Sequence, residues 1–417
     1  MSQLIFNTLI IILLLEFVFE RLLSWLNQRN WKEELTEGFQ AYFDQDKYRE
    51  ARAYSKANYR VGLLSSALGT ILLLLALSLG WFGALDYWVN DLVQNPVWRA
   101  LLFFGVIGLI SFLMGLPFSA YSTFVIEEKF GFNRTDIKTF IMDQIKSLLL
   151  SAILGALILG LIVWLYQKLG ADFWWAAWLV VAAFMLFMAM FYSNIIVPLF
   201  NKQTPLEEGD LRDAIQDFAD KVGFKLDNIY VIDGSKRSTK ANAYFTGLGA
   251  KKRIVLYDTL IADHSTEELV AVLAHEIGHY KKKHTLVSLG LSLLQTGILF
   301  YLLSLFIAPG GAIAQAAAEA LGAEPSFQIG VLVFGILFTP VSTLLGIFMN
   351  IISRKNEYQA DAFAAQHYSG TALATALKKM SSKHLSNLHP HPAYVFVHYS
   401  HPPLLKRLQA LQMRHGR

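Results

Sequence analysis

The sequence predicts a mainly α-helical, multi-spanning membrane protein with about seven transmembrane helices and a small α+β domain on one side of the membrane. Three observations predict this fold class. Of the 417 residues, 54% are hydrophobic and only 16% are charged, and the mean hydropathy is +0.40, well above that of a typical soluble protein. The hydrophobic residues form long runs. The largest polar stretch, residues 196–284, carries short strand patterns instead.

The apolar runs are long enough to cross a bilayer, which takes about 20 residues of helix. The first run contains Glu16 and Glu20, one helical turn apart. A carboxylate within a membrane helix is costly unless it faces protein or water, so we expect these two side chains to face a cavity or an interface. The predicted spans lie near residues 3–25, 61–83, 97–120, 146–168, 173–195, 285–308 and 327–352.

Basic residues in the short connections predict the orientation, because cytoplasmic loops are enriched in lysine and arginine. The connections after the first and third runs are rich in them, and the connections after the second, fourth and sixth runs, the last including the Ala/Gly-rich loop 309–323, are poor. The polar segment and the C-terminal tail should therefore both face the cytoplasm. We expect spans 1 to 5 in residues 1–195, a cytoplasmic segment in 196–284, spans 6 and 7 in 285–352, and a cytoplasmic tail in 353–417.

The polar segment 196–284 has helix and strand patterns in succession. A helical pattern from Glu207 to Val222 precedes the β-branched runs Ile229–Ile232 and Arg253–Tyr257, and Ala241–Gly247 between them reads as a short strand. We expect a small antiparallel sheet beside the helix that follows.

That following helix carries the most informative motif of the chain, H-E-x-x-H. The motif ends an apolar, helix-patterned run, and its histidines His275 and His279 are four residues apart. Residues four apart share a helical face, so both imidazoles can bind a single ion. Glu276 lies beside that ion without having to be a ligand. This is the arrangement of zinc peptidases, and the alternative is a chance match.

A catalytic zinc site needs a third protein ligand and an open fourth position. After the last apolar run, Glu357 and Asp361 are four residues apart and share a helical face. We predict that Glu357 is the third ligand and that Asp361 accepts the spare ring N–H of a ligand histidine. A solvated acidic face is the alternative for this pair. The chain has no cysteine, which excludes disulfides and thiolate ligands.

The tail contains a helical pattern from Ala372 to Lys383 and then a histidine-rich stretch. Most of these histidines are expected to be ordinary surface or core residues. His401 is different, because Pro402 and Pro403 follow it and fix the backbone before a new helix. The net charge of +4 is small for this length, and nothing in its distribution indicates nucleic-acid binding.

With these motifs in order, the chain resembles the type I CAAX prenyl endopeptidases, multi-spanning zinc proteases of the endoplasmic reticulum membrane, in a eukaryotic or a bacterial version. The resemblance covers nearly the whole chain and implies a ring of seven helices that encloses a chamber, closed at its cytoplasmic end by the zinc-metalloprotease domain. It rests on Ser122–Asn133, Pro198–Lys202, Asn242–Phe245, Arg253–Leu260, the H-E-x-x-H motif, Asn356–Glu357 with Asp361, and Ser400–Pro403.

The resemblance implies roles for individual residues. It makes His275, His279 and Glu357 the ligands of one Zn²⁺ per chain and Glu276 the general base. By the same resemblance, the remaining site residues contact the substrate or the reacting group: Asn242 and Ala243 lie on an edge strand that pairs with the substrate backbone, His401 donates to the oxyanion, and Arg407 lies close to the site.

The predicted function is zinc-dependent hydrolysis of peptide bonds without a covalent acyl-enzyme, with Glu276 taking a proton from water and returning it to the leaving amine. The expected partners are the lipid bilayer and a peptide or protein substrate, prenylated or otherwise membrane-associated, and no nucleic acid. The expected location is the endoplasmic reticulum membrane or a bacterial inner membrane. The alternative enzyme is a heat-shock-type quality-control metalloprotease, and the remote alternative is a seven-span transporter or receptor.

Overall fold

The helices and strands are those of a computed structural model that describes residues 1–32, 35, 39–225, 229–247 and 252–415. The N-terminal helices are α1 (Ser2–Arg29), α2 (Gln45–Ser78), α3 (Trp81–Leu92), α4 (Pro96–Tyr121), α5 (Ile137–Leu169) and α6 (Phe173–Ile195). The middle elements are β1 (Gln203–Pro205), α7 (Asp210–Lys221), β2 (Ile229–Ile232), β3 (Ala243–Thr246), β4 (Arg253–Tyr257), α8 (Asp258–Asp263) and α9 (Thr266–Lys281). The C-terminal helices are α10 (His284–Phe306), α11 (Ala312–Ala320), α12 (Phe327–His367), α13 (Gly370–Lys383), α14 (Pro392–His398) and α15 (Leu404–His415).

Within the described residues, six helical segments are long and apolar enough to cross a membrane. One of them, Ile137–Leu199, is 63 residues long and comprises α5 and α6, which are separated by the short 3₁₀ turn Gly170–Asp172. Each of these two helices exceeds the roughly 20 residues that a span requires. The protein is therefore mainly helical with several membrane spans, and the count of seven stays a prediction.

The Ala/Gly-rich stretch 309–323, which we expected to be a loop, contains the helix α11. Alanine has the highest helix propensity of all residues, so the composition that suggested a loop favours a helix once it can pack. It packs here, because Ala316, Ala317 and Ala318 are buried against α1 and α12.

The strands form one four-stranded sheet with the order β1-β2-β4-β3. β1 pairs with β2 and β3 with β4 in the antiparallel sense, whereas β2 and β4 are parallel. The prediction of a purely antiparallel sheet is therefore wrong at its centre. The reason is that β3, which lies between β2 and β4 in sequence, pairs with the outer edge of β4. The chain therefore reverses direction twice between β2 and β4, and these two strands run parallel.

The sheet, α7, α9 and α13 share one hydrophobic core, in which Ile254 and Leu256 of β4 and the run 269–274 of α9 are almost fully buried. α12 also contributes to it, although this helix begins among the membrane helices. At 41 residues, α12 is about 60 Å long, roughly twice the thickness of the hydrocarbon layer. Its last third therefore projects out of the membrane and packs against α9 and α13.

Candidate metal centre and active site

α9 begins with a capping box: the Ser265 hydroxyl accepts from the backbone N–H of Glu268, whose carboxylate accepts from the Ser265 N–H. This pairing satisfies two of the free N–H groups at the helix start. The apolar run that follows is buried and fixes which face of α9 points outward. His275 and His279 then lie on one face, with their Nε2 atoms 3.1 Å apart.

Glu357 reaches the same point from the projecting part of α12. Its Oε1 lies 3.2 Å from His279 Nε2 and its Oε2 lies 3.5 Å from His275 Nε2. The Glu357 side chain is buried, and its Oε2 accepts no hydrogen bond from any described residue. The three predicted ligands thus converge, with one donor atom from each within 4.8 Å of the others.

Asp361, one turn further along α12, lies behind this cluster. Its Oδ1 is 2.9 Å from His275 Nδ1, so the Nδ1 proton of His275 is donated to Asp361 and Nε2 is left with a free lone pair. Burial lowers the pKa of His275, but the neighbouring carboxylates of Asp361 and Glu357 outweigh that effect and raise the pKa to about 9, and a cation bound at Nε2 would replace the proton held there. The space between these side chains therefore attracts positive charge.

A chain of hydrogen bonds through His284 orients His279, and it was not predicted from the sequence. His284 Nε2 lies 3.0 Å from Gln359 Oε1, which can only accept, so the His284 proton is on Nε2 and its Nδ1 is an acceptor. His279 Nδ1, 3.0 Å from His284 Nδ1, must then be the donor. This leaves His279 Nε2 unprotonated and facing Glu357. The available signal was the H-E-x-x-H-x₄-H spacing, together with Gln359 two residues after Glu357.

These contacts test whether the residues fit a metal ion. Two imidazole lone pairs at 3.1 Å repel each other unless a cation lies between them, and Glu357 Oε2 accepts no hydrogen bond from the described residues. Tetrahedral zinc with Zn–N distances of 2.0–2.1 Å holds its ligand nitrogens about 3.3 Å apart. The donor set, its charge and its spacing therefore suit a divalent cation.

Gly278, inside the H-E-x-x-H motif, allows α9 and α12 to approach closely. A Cβ at this position would lie 3.1 Å from Phe363 Cβ and 3.2 Å from Ala360 Cα, closer than carbon atoms normally pack. A larger residue would push α12 away, and Glu357 lies on the same helix about one turn before Ala360. The glycine thus sets the spacing between the two halves of the metal centre.

A cavity of about 310 Å³ opens over the cluster, and eight of the nine predicted site residues line it. The ninth, Asp361, does not line the cavity and is hydrogen-bonded to His275. Part of the wall is apolar, formed by α13 and the middle of α9. The eight lining residues are Asn242, Ala243, His275, Glu276, His279, Glu357, His401 and Arg407.

His401 lies on the opposite side of the cluster from α9, with its Nε2 3.3 Å from Glu357 Oε1. The Ser400 hydroxyl is 2.9 Å from His401 Nδ1, and when this hydroxyl donates, the ring proton of His401 is on Nε2, which faces Glu357. Although 63% of the His401 side chain is exposed, desolvation by the surrounding groups lowers its pKa, and the neighbouring Glu357 raises it by a smaller amount. In this tautomer, His401 presents a neutral Nε2–H donor to the cavity.

Arg407 on α15 is buried, and its guanidinium pairs with Asp361 in a bidentate way. Nε donates to Oδ2 at 2.9 Å and Nη2 to Oδ1 at 2.6 Å, while Nη1 lies 3.5 Å from Glu357 Oε2. Despite its burial, these carboxylates raise the pKa of Arg407. The expected contact of Arg407 with substrate stays a prediction, and only Nη1 would be free to make it.

β3 is an edge strand, because its only partner in the described sheet is β4. Ala243 belongs to β3, and Asn242 immediately precedes it, with its backbone carbonyl accepting from Tyr257 N–H at 3.0 Å. Both residues line the cavity. The unpaired side of β3 can therefore offer main-chain hydrogen bonds to an extended peptide.

The carboxylates of α1 lie away from this cluster. Glu20 Oε2 is 3.3 Å from His398 Nε2 on α14, so it faces protein rather than lipid. Glu16 is partly exposed. Its contact with water in a cavity stays a prediction.

Two family models match the chain and together cover almost all of it. "CAAX prenyl protease N-terminal, five membrane helices" matches residues 25–202, and "Peptidase family M48" matches residues 205–415. The site residues from Asn242 to Arg407 all lie in the second match. Its family is a metallopeptidase family, so the cluster of His275, His279 and Glu357 is a possible metal site.

Relatives of known name agree with these models. The chain is 36% identical to CAAX prenyl protease 1 of Saccharomyces cerevisiae over 95% of this chain and 92% of that protein. It is 38% identical to the CAAX prenyl protease 1 homolog of Oryza sativa over 88% of this chain and 87% of that protein. The crystal structure of Ste24p from S. mikatae is similar with a TM-score of 0.90 and 35% identity, covering 98% of this chain and 99% of that chain.

Proposed function

This chain belongs to peptidase family M48, among the CAAX prenyl proteases, and we propose that it hydrolyses a peptide bond near the C-terminus of prenylated proteins. It is an integral-membrane metalloprotease, which excludes the transporter or receptor alternative. The observation that carries the proposal is the convergence of two histidines, a buried glutamate and the free edge of β3 on one cavity.

The proposed metal is one Zn²⁺ per chain, held by His275, His279 and Glu357. Two neutral imidazole nitrogens and one carboxylate oxygen are a common ligand set of catalytic zinc, and the cavity leaves a fourth position open. When bound there, zinc supplies a Lewis acid that polarises a carbonyl and makes a water molecule more acidic. Asp361 and His284 hold the two imidazoles in the required tautomers.

Glu276 is the proposed general base. It lies between the two histidines in sequence, lines the cavity and is partly exposed, so its carboxylate is available to a water molecule. It takes a proton from the attacking water and then gives it to the nitrogen of the leaving amine. The Nε2–H of His401 faces the same space and donates to the oxygen that gains negative charge.

The proposed substrate lies extended along β3, with Asn242 and Ala243 contacting its backbone. Backbone pairing of this kind is largely independent of sequence, so a prenyl group would supply the selectivity. The metal centre lies where α10 begins and where α12 leaves the apolar layer. A substrate can therefore keep its lipid tail among the membrane helices while its peptide bond reaches Glu276. We place this end of the helices on the cytoplasmic side, because the basic connections lie there.

His401→Ala should lower kcat by about 10- to 100-fold with a smaller effect on KM, because the hydrogen bond from His401 strengthens only as negative charge develops. The measurement is steady-state kinetics on a prenylated peptide. His398→Ala, a histidine three residues earlier on α14 that does not line the cavity, is the matched control. A rise in KM with unchanged kcat would assign His401 to substrate binding instead.

The substrate class is tested by incubating the detergent-purified protein with a farnesylated CAAX peptide and with the same peptide lacking the farnesyl group. We expect release of the C-terminal tripeptide from the farnesylated peptide, identified by mass spectrometry, and much slower cleavage of the other. Equal cleavage of both, or cleavage only of unfolded membrane proteins, would favour the quality-control protease over a prenyl protease.

A further inference from the structure

A second cavity, of about 510 Å³, lies between the C-terminal turns of α1, the first half of α2 and the loop that joins α13 to α14. Its lining is polar and contains no aspartate or glutamate. The polar side chains that line it include Arg21, Tyr54, His384 and Asn387.

Two of these side chains carry a donor with no partner among the described residues. Arg21 Nε and Asn387 Nδ2 are buried and form no hydrogen bond, and Arg21 forms no ion pair within the described part of the chain. Other lining side chains are satisfied by their neighbours, as Gln28 is by Ser55. A buried donor without a partner costs free energy, and the cost is greatest for a charged group. A cavity with an unpaired guanidinium and no carboxylate suits an anion.

A segment of three residues separates this cavity from the metal centre. Asn242 lines the metal-centre cavity, the Ala241 N–H donates to His384 Nε2 at 3.0 Å, and the Lys240 ammonium donates to Tyr54 OH at 2.9 Å. His384 and Tyr54 both line the second cavity. Burial and the nearby lysines lower the pKa of His384 to about 4, so its neutral ring accepts this hydrogen bond.

Neither of the two lysines near His384 is available to an anion, because Lys383 pairs with Asp263 and Lys240 pairs with Glu127. Lys240 Nζ lies 2.7 Å from Glu127 Oε2, at the end of the π-helical turn Ser122–Glu127 that follows α4. Its charge is therefore already paired. Arg21 is left as the unpaired cation among the described residues that line the second cavity.

We propose that this second cavity binds the C-terminal carboxylate of the substrate, with Arg21 as the pairing cation and Asn387 as a further donor. The inference rests on the proposed function, in which three residues follow the cleaved bond. Three extended residues span about 10 Å, a length that can run from the edge strand past residues 240–242. The carboxylate would then satisfy the two unpartnered donors. The position of this cavity would then favour substrates in which three residues separate the cleaved bond from the C-terminus.

The test compares kcat/KM for a farnesylated CAAX peptide with a free carboxylate and for the same peptide with a C-terminal amide. The wild-type protein should prefer the acid by about 10- to 100-fold, the usual value of a charge-assisted pair. Arg21→Met should bring this ratio close to 1 and should cleave the amide at the wild-type rate. Arg60→Met, which changes an arginine of α2 that lines a different cavity, should leave the ratio unchanged.

The outcomes separate this inference from the proposed function. Cleavage of acid and amide at equal rates by the wild-type protein would overturn the carboxylate site while leaving the proposed function intact. Cleavage of neither peptide would count against the proposed function itself. If Arg21→Met does not fold, Asn387→Ala provides the second variant, with a smaller expected fall in the ratio. Competition by inorganic phosphate or by anionic lipid vesicles, without acid preference, would identify a phosphate or headgroup site instead.

Discussion

Glu276→Gln should lower kcat/KM for peptide hydrolysis by about 10²- to 10⁴-fold and leave the metal content of the protein unchanged. The amide has nearly the shape of the carboxylate but cannot take a proton from water. Glu276 lines the cavity beside His275 and His279 and is not one of the three converging ligands. The measurement is turnover and metal content on the same purified preparation.

The matched control is Glu267→Gln, which makes the same change on an exposed side chain in the first turn of α9. It should retain full activity and full metal content. Wild-type turnover in Glu276→Gln would show that Glu276 is not the general base. Loss of metal in that variant would make it a ligand rather than a base.

Glu357→Ala should abolish both metal binding and hydrolysis. It removes the third ligand and leaves two imidazoles, which bind a divalent cation far more weakly than three converging donors do. The effect should be local, because the Asp361–Arg407 pair behind the cluster stays intact. Metal is measured by inductively coupled plasma mass spectrometry after gel filtration, and Glu319→Ala, an exposed glutamate of α11, is the control. Full zinc in Glu357→Ala would mean that the ion binds elsewhere.

The features that could be predicted from the sequence are those determined by neighbouring residues. The strands Ile229–Ile232 and Arg253–Tyr257 have the predicted bounds, and the helical pattern from Ala372 to Lys383 lies within α13. The convergence of His275 and His279 follows from helical spacing alone. Their meeting with Glu357 needed a second inference, that a zinc site requires a third ligand, and the structure brings the three side chains together.

The features that could not be predicted depend on contacts between distant parts of the chain. The hydrogen bond from His279 to His284 requires the sharp turn between α9 and α10, where Lys283 adopts a φ of 60°. The parallel pairing of β2 with β4 depends on which side of β4 the intervening strand takes. The pairing of Arg407 with Asp361 joins α15 to α12 across 46 residues, and no local pattern marks it.

The central claim is that this membrane protein is a zinc peptidase whose metal is held by His275, His279 and Glu357. The most direct test is to measure zinc content and cleavage of a farnesylated CAAX peptide on one wild-type preparation, before and after treatment with 1,10-phenanthroline and after zinc is returned. We expect one zinc per chain, loss of zinc and cleavage together on chelation, and recovery of both on addition of zinc. A protein that contains no zinc as purified, or that cleaves the peptide equally well after its zinc is removed, would contradict the claim.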